Sequence, residues 1–238
     1  MSWDITWAGV ALSTLGCNAI VEEAPETNRP RKKVDRYEVP GRNGDIIISQ
    51  GAFENVQRRY NLEVHDDLTD YDTAAAELMA WLYVPEGYQR LTDTFDTAVY
   101  RKAFVYEDTD IENMVNTDGR CTVQFECDPR RFLLTGETVT TLTGSGTITN
   151  PTSFTSRPSI EVHGSGNGTI TAGGNTITIT GIVDGMVLDC DSQNAYKGTS
   201  NYNSLITGVF PVIPGGSQTI TITGGITSIK VTPNWWTI

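Results

Sequence analysis

The sequence predicts an all-β protein, mainly strands with one helix, in two domains. Three observations carry this. Residues 121–127 alternate, with Cys121, Val123, Phe125 and Cys127 facing one way and Thr122, Gln124 and Glu126 the other, the period of a strand with one buried face. Turn-forming glycines, 23 in 238 residues, interrupt the chain at short intervals. Only one stretch, residues 72–83, has a convincing helical period. After Gly136 the composition changes from charged and aromatic to Thr, Gly and Ser, which places the boundary at about residues 134 to 140, between a domain 1–137 and a β-sandwich 138–238.

The formal charge of -12 argues against a protein that coats nucleic acid, since phosphate binding requires neutralising Lys and Arg. Residues 1–137 hold 25 acidic and 14 basic side chains, a net of -11, whereas residues 138–238 hold 4 and 3, a net of -1. The second domain therefore stays soluble through hydroxyls and amides, or is covered by neighbours. The N-terminus lacks a basic region and is not expected to be a secretory signal, and no apolar run is long enough to cross a bilayer. Cys17, Cys121, Cys127 and Cys190 have neither disulfide nor zinc-ligand spacing and are expected as buried, reduced thiols. No metal or cofactor is expected.

In chain order, Trp3, Ile5 and Trp7 predict an opening strand. An arm is expected over about residues 25–45, carrying Arg29, Arg31, Lys32, Lys33, Arg36 and Arg42, a basic cluster in an acidic protein. It is either a solvated segment, a phosphate or lipid-headgroup binder, or an arm lying across an acidic surface of a neighbouring subunit. Pro40-Gly41 and Asn43-Gly44 are turn signals leading into Ile46, Ile47 and Ile48, expected as a buried strand. A phosphate loop is set aside because no lysine ends the turn. Arg58 to Val64 predicts a strand with Tyr60, Leu62 and Val64 on one face. In the helix, Asp70 or Asp72 can cap, Leu78, Trp81 and Leu82 form the apolar stripe, and Pro85 and Gly87 stop it. The acidic loop 107–112, with Asp108, Asp110 and Glu112, lacks the glycine and bidentate glutamate of a calcium loop, and is expected to face solvent or a neighbour's basic arm. Pro129 is expected to close the strand that begins near Asp118.

The second domain reads as seven or eight short strands, at 147–149, 159–163, 168–171, 175–180, 186–190, 218–223 and 228–232, which points to a sandwich or jelly roll. Asp189 and Asp191 share a strand face at a spacing that suits a glycosidase pair or an ion, yet the face is expected to be exposed. Trp235 and Trp236 can cap a core or stack on a sugar.

Several motifs, in order, carry a family resemblance: PGRNGD at 40–45, the WL at the helix end, CTVQFECDPRRFLLTG at 121–136, SRPSIEVHGSG at 156–166, LDCDSQNAY at 188–196, FPVIPGGSQTITITG at 210–224 and the closing NWW. With these the chain resembles the distal tail (Dit) proteins of long-tailed, non-contractile bacteriophages. The resemblance implies a structural virion protein at the distal tip of the tail, assembled in the host cytoplasm. Six copies would form a ring through the N-terminal, β-sandwich-like domain, between the tail tube and the tip or receptor-binding proteins. The C-terminal domain would be a galectin-like sandwich projecting outward, and its last strand could return to the first domain. Residues 29–45 would match the arm that reaches a neighbour. A ring of six such chains carries 6 × -12 = -72, so DNA would pass through its lumen without binding. No catalytic residue is implied. The competing readings are a carbohydrate-binding adhesin module and, further off, a glycoside hydrolase using Asp189 and Asp191.

Overall fold

A computed structural model describes residues 3–26, 29–65, 71–105, 111–115 and 118–238, and the chain divides into two compact units, residues 1–131 with Ile238, and residues 132–237. Among the described residues the protein is mainly β, with two nine-stranded sheets, a separate two-stranded ribbon and one α-helix.

In the first unit, β1 (Ile5–Trp7), β2 (Val10–Ala11) and β3 (Ala19–Val21) precede the ribbon strands β4 (Lys32–Tyr37) and β5 (Ile46–Phe53). Then come β6 (Val56–His65), α1 (Tyr71–Tyr83), β7 (Gln89–Asp93), β8 (Val99–Phe104), β9 (Ile111–Val115) and β10 (Asp118–Leu133). The main sheet runs β2-β1-β7-β8-β10-β6-β3, with β9 added to β10. The alternation at 121–127 puts Cys121, Val123, Phe125 and Cys127 in the core, opposite the buried Tyr60 and Leu62 of β6 and the helix residues Leu78, Trp81 and Leu82. Ile5 and Trp7 are fully buried, and the Trp7 indole N–H donates to the Leu82 carbonyl at 3.3 Å, tying the opening strand to the helix end. Asp70 lies outside the described residues. Of Asp72, only the helical backbone is described.

Pro129 does not end β10, which continues to Leu133. The ladder to β6 has already finished at the Cys127–Val56 pair, so a residue without an N–H interrupts none of its bonds.

The second unit holds β11 (Thr140–Leu142), β12 (Gly146–Asn150), β13 (Ser159–Ala172), β14 (Asn175–Val183), β15 (Met186–Asp189), β16 (Asn194–Lys197), β17 (Ser200–Asn201), β18 (Ile206–Gly208), β19 (Gly216–Thr232) and β20 (Trp236–Thr237). Its core is rich in isoleucine, including Ile160, Ile170, Ile177, Ile179, Ile220 and Ile229. Two pairs of expected short strands are each one long strand. Residues 159–163 and 168–171 fuse into β13, and 218–223 and 228–232 into β19, which pair antiparallel with register shifts at His163–Gly164 and Gly164–Gly168. The glycines there mark bulges, not turns. At Gly225 the two backbones approach so closely that a side chain's first carbon would overlap the Ser165 carbonyl oxygen.

β20 pairs with β10, whose last residues belong to this unit. Leu133 N–H donates to the Trp235 carbonyl and Asn234 N–H to the Gly136 carbonyl, both at 2.9 Å. A methyl group on Gly136 would run into the Trp235 backbone. Gly136→Ala is therefore expected to destabilise the second unit by about 1–3 kcal/mol, as overpacking does. A melting curve unchanged from wild type would show that the C-terminal turn yields without cost.

Candidate assembly interface

The basic residues of the arm fall on a β-ribbon that shares no strand pairing with the main sheets. Lys32, Lys33 and Arg36 lie on β4, Arg29 and Arg31 just before it, and Arg42 in the turn between strands. β4 and β5 pair from Lys32–Phe53 to Tyr37–Ile46, with a register shift between Lys32 and Val34. Both turn signals form as expected: Gly41 and Gly44 adopt φ of 79° and 80°, and Arg42 N–H donates to the Val39 carbonyl at 3.1 Å. The ribbon extends beyond Asp45 to Phe53.

Ile46, Ile47 and Ile48 are not buried. They are 39%, 62% and 52% exposed, beside Tyr37 at 54%. Among the described residues the ribbon is a sheet of two strands paired with no other, and these side chains stay exposed on both of its faces. The register puts Tyr37 and Ile46 opposite each other, and Asp35 and Ile48 on that same face, with Arg36 and Ile47 on the other. Each face therefore mixes an apolar row with charge. The six cations between Arg29 and Arg42 make no ion pair among the described residues. Residues 29–53 carry 6 basic and 3 acidic groups, a net of +3, which leaves -12 - 3 = -15 on the rest of the chain.

Of the acids expected to meet this arm, Asp108 and Asp110 lie outside the described residues. Glu112 is placed by its backbone in β9, where it pairs with Arg120.

The residues behind the enzyme and sugar readings are engaged in local structure. Asp189 Oδ1 accepts the backbone N–H groups of Asp191 at 3.0 Å and Ser192 at 3.3 Å, forming a turn. Cys190 between the two acids is buried, and burial pushes its thiol up to about 12. Among the described residues no group of three or more His, Cys, Asp or Glu could hold a metal ion. Trp235 is buried in the second core, while Trp236 stacks on Phe154 with centroids 4.4 Å apart and donates its indole N–H to the Thr155 carbonyl. Cys17, Cys121, Cys127 and Cys190 are all buried and none of them forms a disulfide.

Neither a protein-family model nor a curated protein matches the sequence. A solved structure does match over 100% of both chains, with a TM-score of 0.74 at 13% identity: the crystal structure of the Dit protein of phage SPP1, described as a paradigm of the hub adsorption apparatus in phages that infect Gram-positive bacteria. The chain has the fold of SPP1 Dit. Both units, the long paired strands and the ribbon fall within the match, since it spans the whole chain. Sequence reasoning placed the arm's cations but missed its apolar half. Three consecutive isoleucines present side chains to both faces of a strand, a pattern that a single chain satisfies by burying the strand and an assembly satisfies by burying it against a neighbour.

Proposed function

We propose that the chain is a distal tail hub protein of a long-tailed phage, a structural virion component without catalytic activity. In this reading six copies close a ring through the first unit. The ring joins the tail tube on one face to the tip or receptor-binding proteins on the other, and the second unit is a galectin-like sandwich directed outward. The whole-length likeness of fold to SPP1 Dit supports the hub role. The exposed ribbon supports assembly through an arm. A two-stranded hairpin is at best marginally stable in water, and this one displays Tyr37, Ile46, Ile47 and Ile48, so it needs a partner to cover it. A ribbon projecting from one copy onto a different surface of the next is a head-to-tail contact, the kind that closes rings. Its surplus of cations meets a neighbour whose remaining surface is strongly acidic, which favours encounter and sets orientation.

Native mass measured by light scattering across micromolar concentrations tests the ring. A hexamer or a stack of two hexamers is expected. A monomer at every concentration and at both low and high salt would overturn self-closure.

The basic half of the arm has its own test. Reversing Arg31, Lys32 and Lys33 to glutamate is expected to weaken assembly at least tenfold at low salt, with the difference shrinking as salt screens the surface charges. The monomer should keep its melting temperature, because these side chains are exposed and make no ion pair among the described residues. Equal assembly by the variant and wild type at both salt levels would remove the electrostatic part of the proposal.

A further inference from the structure

One end of the first unit's core-facing sheet surface gathers three guanidinium groups and two carboxylates. Arg58 is paired with Asp93 at 2.7 Å, and both side chains are buried. Arg131 is paired with Asp96 through Nη2, but its Nε is buried with no hydrogen-bond partner. Arg101 is the third. It sits on β8 opposite Leu91, shares the buried face of that strand with Val99 and Ala103, and is only 9% exposed. Among the described residues no hydrogen bond or ion pair reaches its guanidinium. Burial lowers its proton affinity, and the nearby charges of Arg58 and Arg131 lower it further. An arginine does not escape by deprotonating.

The groups around it supply no counter-charge. Cys127 is near enough to feel Arg101 and Arg58, yet burial outweighs both and pushes its thiol up to about 12, so it is neutral near pH 7. Asp128 is committed to Arg130 at 2.8 Å. The cluster therefore carries one more positive charge than negative, with the buried Arg131 Nε–H unpartnered and no counter-ion for Arg101 among the described residues, in a chain whose net charge is -12. A buried charge left without a partner is strongly unfavourable.

We propose that Arg101, together with the free Nε–H of Arg131, binds one oxyanion, a carboxylate or a phosphate-like group. The planar guanidinium fork matches two oxygens of either group, and the Arg131 donor adds a third contact. Two sources share this chemistry, a free inorganic anion and an Asp or Glu side chain from a second copy of the chain. The site is separate from the ribbon and does not depend on the tail-hub reading.

Crystals of the full chain grown with selenate test the proposal, together with melting curves in phosphate against chloride at matched ionic strength, for wild type and for Arg101→Met. With a free anion, an anomalous selenium peak lies within hydrogen-bond reach of Arg101. Phosphate at a hundred times Kd then raises the wild-type melting temperature by about 5–10 °C but leaves Arg101→Met unmoved. With a second copy as the source, a carboxylate of that copy occupies the site, and Arg101→Met weakens self-association at least tenfold. Arg101→Lys, which keeps the charge and loses the fork, should weaken binding about tenfold in either case and guards against a folding defect in the methionine variant. A site filled by water or by the chain's own side chains overturns the proposal. So does a selenium peak without an Arg101-dependent phosphate effect, which would be an adventitious ion only.

Discussion

Asp93→Ala is expected to be the most destabilising single substitution in the first unit, lowering its stability by about 3–5 kcal/mol, the usual effect of removing one partner from a buried ion pair. The Asp93 carboxylate does several things at once. Its Oδ2 accepts from Arg58 Nη2 at 2.7 Å and from the Tyr60 hydroxyl at 2.6 Å, while its Oδ1 accepts the backbone N–H groups of Phe95 at 3.1 Å and Asp96 at 3.0 Å. Removing it strands Arg58 beside the already unpaired Arg101. Asp93→Asn keeps the turn and loses the charge, so it is expected to lie between alanine and wild type. The pH dependence separates charge from shape. Burial alone would raise the Asp93 carboxyl, but Tyr60 and Arg58 outweigh it and hold the group below its ordinary range. A carboxyl lowered on folding contributes stability that is fully present above its unfolded value, near pH 4, and is lost as pH falls through the lower folded value. The gap in melting temperature between wild type and Asp93→Asn should thus be constant from pH 7 to about 5 and narrow below about pH 4. A gap that stays constant down to pH 3 would mean that the network contributes through packing and not through charge.

This network also shows where the sequence stops being informative. Tyr60, Leu62 and Val64 announce themselves by alternation, and the structure buries all three. Arg58 continues the same alternation onto the same core-facing side, where periodicity alone expects an apolar residue. Nothing local pairs it with Asp93, 35 residues later, because the pairing depends on where β7 lies in the sheet. The same limit explains the two long strands of the second unit. Gly164, Gly168, Gly224 and Gly225 read as strand breaks in the sequence, but a glycine at a bulge and a glycine at a turn look alike until the partner strand is known. The helix and the alternating central strand were legible because each depends on residues within a few positions of one another. The ribbon lies between these cases. Its turns and cations were plain, and its apolar residues were assigned to a core that the chain itself does not provide.

That last difference leads to the strongest test of assembly. Ile47→Asp combined with Ile48→Asp is expected to abolish higher-order association at micromolar concentration, a loss of at least a hundredfold in affinity for each contact. Ile47 and Ile48 occupy opposite faces of β5, so the pair places a carboxylate on both sides of whatever groove receives the ribbon. Burying two unpaired charges there costs several kcal/mol, on top of the loss of about 3–6 kcal/mol contributed by two buried isoleucines. The isolated chain should hardly notice, because substitutions at exposed positions usually change stability by no more than about 0.5 kcal/mol. The two acids also lower the ribbon's charge from +3 to +1, since +3 - 2 = +1, so the electrostatic contribution falls in the same direction. Ile47→Lys with Ile48→Lys separates the two causes, because it raises the charge while removing the same apolar contacts. Disassembly by both variants identifies apolar burial as the main force. Disassembly by the aspartate pair alone would transfer that role to the cations of β4. Assembly unchanged in both would mean that the ribbon lies outside the contacts between copies, and the ring would have to close through the edges of the first unit's main sheet.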